Sequence, residues 1–262
     1  FYGAGAFEQL LAAAVIRGTK GAEIPCGKVC DSPRFSYRGF MLDSARHFQS
    51  VETIKKVLAL MAKLRLNVFH WHICDSQGFR SESKLFPELN TLAGMTPGFY
   101  TADEIKEICD FAAEHFITVI PEIEMPGHVR AMLAAKPEFS CVGKSLPQTP
   151  RIFWSIEDDV LCVGNDEAIA YLEKIYDAVC EMFPDAPYIH IGGDECPHIR
   201  WKECAKCQAR IKAENLKNEA GLQAWVTTRI VRHLEKRGRV AIGWDEALAG
   251  DVPKSTVRMV WR

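Results

Sequence analysis

The sequence predicts an α/β chain folded as a TIM-type (β/α)8 barrel with about six of its eight strands present. Three observations lead there. Short apolar runs recur along the chain, each followed by a stretch with helical amphipathicity. The runs are β-branched or aromatic, as expected of strands buried on both faces. Polar residues crowd the carboxy-terminal ends of almost all of them, where barrels build their sites, which favours a barrel over an open doubly wound sheet.

In chain order, residues 1–17 read as one helix, the tail of a preceding small α/β domain, and 18–34 as a linker. The barrel occupies 35–262 and lacks its last two strands. Its strands are 39–42, 67–72, 118–123, 188–191, 240–244 and 257–261. Between the first two, 51–66 is a helix capped by Ser50, with Ile54, Val57, Leu58, Met61 and Leu64 on one stripe. Thr101-Ala-Asp-Glu104 is a capping box opening a helix through His115. Residues 166–183 and 222–237 are helices of the same kind. Strand–helix alternation implies a parallel sheet with right-handed crossovers. Residues 126–164 form a long Pro-rich excursion after the third strand, a length of loop that usually carries function. The first and sixth strands, as edges, would turn Phe40, Leu42 and Met259 or Val260 inward.

The 262 residues are 48% hydrophobic and 25% charged with a formal net charge of −2, which suits a globular protein with one large core. A near-neutral chain has no electrostatic footprint for nucleic acid or anionic membrane, and no run of 18 apolar residues spans a bilayer. Glu8 interrupts the apolar start and no basic segment precedes it, so no cleaved signal peptide is expected within the chain. The ten cysteines are far fewer than a disulfide scaffold shows. Cys204-x-x-Cys207 with Cys196 upstream has partial zinc-ligand spacing, but structural zinc sites usually show two such knuckles, and free thiols or disulfides are the plainer reading. A disulfide between Cys141 and Cys162 would tie the excursion, with two free thiols as the alternative.

The sharpest segment is YIHIGGDECP, residues 188–197, in which a strand runs into two glycines and then Asp194 and Glu195. Glycines at a strand end let the backbone turn and a ligand approach. Adjacent acids repel, so the pair needs a task, although a helix-capping acid pair after a glycine turn is also consistent. The neighbouring strand ends add to it. The second finishes HWHICD at Asp75, the third PEIEMPGH at His128, and the first carries Arg38 through Asp43, followed by Arg46-His47. The fifth ends with GWDEA, containing Trp244, and the sixth with Trp261-Arg262. On one barrel rim these make a pocket in which aromatic faces meet sugar rings and charged groups hold hydroxyls.

The order RGFMLDSARHF, NVFHWHICD, TVIPEIEMPGH, YIHIGGDE, IGWDE, VRMVW closely resembles the family 20 glycoside hydrolases, the β-N-acetylhexosaminidases. Six motifs match in order from about residue 35 onward, and FYGAGAFEQLL is similar to the end of the small domain that precedes the barrel in that family. Two acids of a conventional retaining glycosidase stand ~5–5.5 Å apart across the scissile bond, which neighbours in sequence cannot easily do. The resemblance implies the substrate-assisted route of family 20 instead, in which the substrate's 2-acetamido oxygen attacks the anomeric carbon and forms an oxazolinium-like intermediate. It implies Glu195 as general acid and base, and Asp194 as the group that holds the acetamido nitrogen and its developing charge. It further implies that Arg38 binds sugar hydroxyls, Trp244 and Trp261 wall the acetamido pocket, and Asp75 with His128 orient and tune Glu195. A tyrosine and a further tryptophan or acid would come from the last two strands. The implied partner is a glycan with a terminal N-acetylhexosamine, without metal or cofactor, in a secreted, periplasmic or lysosomal setting.

Each supporting residue has a plainer reading. Arg38 would salt-bridge Asp43, Trp261 would be core, and His128 would cap a loop after Pro126-Gly127. His70-x-His72 is a strand-end metal pattern, and His128 with Asp194 would complete it, the signature of a metal-dependent barrel hydrolase. A non-catalytic sugar-binding relative would have lost the acid pair. A nucleotide-cyclase reading of Gly192-Gly-Asp-Glu fails, because that motif belongs on a hairpin and here a buried strand precedes it.

Overall fold

Six parallel strands are hydrogen-bonded side by side in strict chain order. The computed structural model describes residues 2–16, 27–28, 30–91 and 97–261. Its principal elements are α1 (Tyr2–Ile16), β1 (Gly39–Asp43), α2 (Val51–Lys63), β2 (Val68–His72), α3 (Ala102–Glu114), β3 (Thr118–Glu122), α4 (Asp166–Met182), β4 (Tyr188–His190), α5 (Glu219–Glu235), β5 (Val240–Trp244) and β6 (Val257–Met259). The expected helix at the amino terminus is α1; most of the expected linker lies outside the described residues.

Side chains show that the sheet curls. Strands lie ~4.8 Å apart in a sheet, so residues two or three strands away from each other cannot touch if it is flat. Yet Val68, Ile120 and Ile242 form one cluster with Tyr188 and Met259, separate from the main core. The ring of His70 on β2 lies 4.6 Å from that of His190 on β4 and 5.8 Å from that of Trp244 on β5. These contacts cross the interior of a barrel wall. The chain thus forms six strands of an incomplete (β/α)8 barrel.

The outer face, carrying Phe69, Trp71, Val119 and Ile189, packs against the helices in the principal core. The helices start where the sequence places caps. Ser50 accepts from the Thr53 amide, Thr101 and Glu104 form the capping box, and Asn165 accepts from the Glu167 amide. The last helix begins three residues before the expected 222, because the Asn218 side chain accepts from the Gly221 amide and starts the turn early. Leu64 departs from the expected stripe: it is the C-cap of α2 and is 63% exposed, whereas Ile54, Leu58 and Met61 are buried.

Register corrects the reading of the β1 edge. Met41 pairs with His70 and Asp43 with His72, while Phe40 and Leu42 pair with the outward Phe69 and Trp71. Met41 and Asp43 therefore face inward, and Leu42 packs on the helix-side core. A one-residue error in parity moves every side chain to the other face. On β6 it is Met259 that joins the interior cluster, while Val260 is exposed.

Candidate active site

The carboxy-terminal ends of β1 to β5 present one connected set of polar side chains. Glu122, the last residue of β3, is fully buried at its centre. Its Oε2 accepts from His70 Nε2 at 2.9 Å and from His72 Nδ1 at 2.5 Å. Both histidines reach it because alternate residues of a strand share a face. Its Oε1 accepts from Trp244 Nε1 at 2.9 Å and lies 2.9 Å from His190 Nδ1. Burial opposes ionisation of Glu122, but the facing His190, His72 and His70 outweigh it and hold the carboxyl well below its usual range. Burial likewise works against a charge on His72. The Glu122 carboxylate, the hydrogen bonds to Asp75 and Glu122 and the Asp75 charge overcome that and lift its pKa to about 10.

From His72 the network runs outward. His72 Nε2 donates to Asp75 Oδ2 at 2.9 Å, and His128 Nδ1 donates to Asp75 Oδ1 at 3.2 Å. Arg46 Nη2 stands 2.6 Å from Asp75 Oδ2, and Arg46 Nη1 donates to Asp43 Oδ2 at 3.0 Å. Asp75 is almost completely buried, which would raise its pKa, yet the hydrogen bonds from His128 and His72 hold it well below the ordinary value. The other face of His128 meets the acid pair: Nε2 lies 3.5 Å from Glu195 Oε2 and 3.7 Å from Asp194 Oδ2. Burial would lower the His128 pKa, but the Asp75 hydrogen bond and the Asp75 and Asp194 charges raise it. The imidazole, its charged form favoured, thus sits between a buried carboxylate and two acids on the rim.

The turn after β4 aims those acids. Gly192 and Gly193 have φ of 61° and 99°. A Cβ on Gly192 would lie 1.8 Å from Glu124 Oε2, so only glycine fits. Glu195 is itself left-handed, with φ 44°, a conformation that costs a non-glycine residue on the order of 1–3 kcal/mol. Neighbours hold it there. Glu195 N–H donates to Glu246 Oε2 at 2.8 Å, and Gln223 Nε2 on α5 donates to the Gly193 carbonyl at 2.8 Å. Glu124 is buried beneath the turn and accepts from Gly193 N–H at 3.2 Å. Burial, then the charges of Asp194, Glu122 and Asp75, raise its pKa well above the usual range and favour its neutral form. Burial also raises Asp194, with His128 opposing. Asp194 is the deeper of the pair, its side chain 19% exposed against 33% for Glu195. The more open acid is placed to exchange a proton with a ligand, and the deeper one to hold a donor or a developing cation.

Asp75, His128, Asp194, Glu195 and Trp244 are therefore gathered, and Arg38 is not. Arg38 precedes the first residue of β1, at the amino-terminal end of the barrel. There its Nε donates to the Arg65 carbonyl at 2.8 Å and its Nη1 to the Phe35 carbonyl at 2.7 Å. Arg46, eight residues on, is the guanidinium at the rim. Trp261 follows β6 on the interior side by alternation from Met259 and is 49% exposed. The imagined metal set of His70, His72, His128 and Asp194 is not assembled: His70 is taken by Glu122, and His128 joins Asp194 and Glu195 instead. Cys141 and Cys162 are both free thiols rather than a disulfide. The sequence motifs placed Arg46, Glu122, Glu124 and Glu246 at the rim but gave these residues no role, and Gln223 was missed altogether. Inward parity and the carboxy-terminal strand ends carried the signal for Glu122 and Glu124; Gln223 carried none. A groove between α3 and α4 contains none of these residues.

A parallel barrel whose carboxy-terminal rim carries an acid pair backed by a charged histidine, an arginine and an indole is built like a barrel glycoside hydrolase. The family model for the glycosyl hydrolase family 20 catalytic domain matches residues 35–262, and the chain belongs to that family. It is 43% identical to a β-hexosaminidase of Porphyromonas gingivalis over all of its own length and 35% of that protein's. Among solved structures it resembles a Flavobacterium johnsoniae chitobiase, with TM-score 0.81 and 39% identity over 88% of this chain and 34% of the other. A β-N-acetylhexosaminidase from Bacteroides fragilis aligns with TM-score 0.81 and 36% identity over 97% of this chain and 52% of the other. The chain thus spans about a third to a half of the proteins it matches.

Proposed function

We propose that this chain carries the catalytic rim of an exo-acting β-N-acetylhexosaminidase, which removes terminal N-acetylglucosamine or N-acetylgalactosamine with retention. The observation that carries the proposal is the acid pair: two adjacent carboxylates, 3.5 and 3.7 Å from the same imidazole nitrogen, act from one side of a bound sugar. Side-by-side acids cannot serve as acid and opposed nucleophile. The attacking group then comes from the substrate, as in the substrate-assisted route of family 20. Glu195 protonates the leaving glycosidic oxygen and later takes a proton from water. Asp194 accepts from the acetamido N–H and stabilises the charge that grows there as the acetamido oxygen attacks. His128, anchored on Asp75, keeps a positive charge behind the pair. Arg46, in place of Arg38, offers its donor fork to sugar hydroxyls, and Trp244 and Trp261 provide the apolar wall. With a glycan substrate, the enzyme belongs in a secreted, periplasmic or lysosomal setting; among the described residues no helix is long and apolar enough to cross a membrane.

The test is hydrolysis of aryl β-glycosides by the full-length enzyme. N-acetylglucosaminide or N-acetylgalactosaminide should be cleaved with the β-anomer as first product. The plain glucoside, which lacks the internal nucleophile, should be almost inert. Comparable rates on the plain glucoside, or an α-anomeric first product, would refute the proposal.

A further inference from the structure

Behind the acid-pair loop, four cysteines from two distant stretches meet. Cys141 and Cys162 belong to the excursion after β3. Cys204 and Cys207 open the short helix Ala205–Ala213. Their sulfurs all lie within 4.8 Å of one another. Sγ of Cys207 is 3.8 Å from Cys141 and 3.8 Å from Cys162, and Sγ of Cys162 is 3.7 Å from Cys204. A disulfide requires ~2.05 Å. A tetrahedral zinc tetrathiolate with Zn–S of ~2.3 Å has sulfur–sulfur edges of about 3.8 Å. Three of the six separations match those edges, and the others lie within 4.8 Å.

The backbone is shaped for the same purpose. Ser140 and Leu161 form an antiparallel bridge, and Cys162 N–H donates to the Phe139 carbonyl at 2.8 Å, which brings Cys141 beside Cys162. Cys204 and Cys207 lie three residues apart at a helix start, so their side chains share a face. Gly164 presses on that start: a Cβ there would stand 2.2 Å from the Lys206 carbonyl carbon and 2.3 Å from the Cys207 nitrogen. Trp201 Nε1 clamps the two stretches by donating to the Leu161 carbonyl at 2.9 Å. The helix start also places partial positive charge near the sulfurs, which suits an anionic complex.

We propose that Cys141, Cys162, Cys204 and Cys207 bind one structural Zn²⁺, which ties the excursion to the helices that follow the catalytic turn. Binding exchanges four S–H bonds for four Zn–S bonds and releases four protons to solvent, so the complex carries a net charge of −2. The site revises the sequence expectation twice. Cys196 is not a ligand, and Cys141 and Cys162 are partners through a metal rather than a disulfide. Because all four positions are protein ligands, the ion is structural and has no open position for substrate.

The experiment uses the full-length enzyme, purified without chelator and without added metal. Elemental analysis should find about one zinc per chain, and a mercurial thiol reagent should release it. In the Cys204→Ser/Cys207→Ser variant the zinc should fall to background. Should that variant fail to fold, cobalt exchange into the wild-type protein reads the ligand set directly. It should give thiolate-to-cobalt charge transfer and the intense visible bands of a tetrahedral site. A zinc-free protein with all four thiols alkylated in the native state, a disulfide among the four in a non-reducing peptide map, or a cobalt spectrum without charge transfer would each overturn the proposal.

Discussion

Replacing Glu122 by glutamine tests whether the histidine network is held together by charge. The variant keeps the volume and removes the anion that faces His70, His72 and His190. Its amide N–H₂ must also point at a donor, either the His70 and His72 N–H groups or the Trp244 indole N–H. Breaking a buried ionic arrangement by removing one partner costs about 3–5 kcal/mol, a large part of a typical domain's stability. The pH dependence identifies the cause. The pKa of His72 is about 10 in the folded protein against an ordinary value of 6.5. A raised pKa contributes stability that is full below the unfolded value and is lost as pH rises through the folded one. The full contribution is about 5 kcal/mol, of which roughly 3 kcal/mol is gone by about pH 9. Urea unfolding of both proteins at about pH 6 and pH 9 measures this. The gap between wild type and Glu122→Gln should be large at pH 6 and shrink at pH 9 by the share of this contribution that Glu122, rather than Asp75, supplies. A gap below about 1 kcal/mol, or one of equal size at both pH values, would refute the charge-based account.

Four further outcomes follow from the acid-pair turn. Glu195→Gln should lower turnover on substrates with poor leaving groups by roughly 10²–10⁴-fold and on activated aryl glycosides much less, so leaving-group-independent losses would remove Glu195 as the acid. Asp194→Asn should depress kcat more than it raises KM, and a pure KM effect would count against its proposed role. Because burial raises the Asp194 pKa above 3.8, the acid limb of kcat/KM should lie above that value and should move or vanish in Asp194→Asn. Gly192→Ala should destabilise the protein by more than ~2 kcal/mol, because it combines a left-handed backbone with a collision against the buried Glu124 carboxyl; a neutral melting temperature would show that the turn can reshape.

Periodicity made the barrel legible, and strand ends made most of its rim legible. The six strands and four helices rest on local signals: β-branched runs, helical amphipathicity, a capping box at Thr101 and a cap residue at Ser50. The failures lie where one position in sequence decides between distant places in space. Arg38 and Arg46 flank the same strand in RGFMLDSARHF, and five strand residues carry the chain ~17 Å from one end of the barrel to the other. The resemblance pointed to Arg38, but strand direction puts Arg46 and not Arg38 at the end that carries the acid pair. A separate error of parity turned Phe40 and Leu42 inward. Other contacts had no local trace. Gln223 reaches the Gly193 carbonyl from a helix 30 residues on, and Cys141 meets Cys207 across 66 residues. Tertiary closure alone creates such pairs.

That closure also explains how two like charges stay side by side. Unaided, adjacent carboxylates repel, and Glu195 prefers an ordinary backbone. Here the cost is met from three directions. His128 supplies positive charge, drawn up by Asp75. Glu246 supplies an acceptor for the Glu195 amide from the segment after β5. Burial and its acidic neighbours hold Glu124 toward the neutral form, which limits negative charge beneath the pair. These supports come from the segments after β3 and after β5, so the orientation of the acids is a property of the curled sheet rather than of the GGDE motif. In the proposed mechanism all of it would lie on one side of the sugar. The face across the anomeric carbon would then be left to a nucleophile that the substrate carries itself, and so an acetamido group at C2 is the feature the proposed chemistry cannot do without.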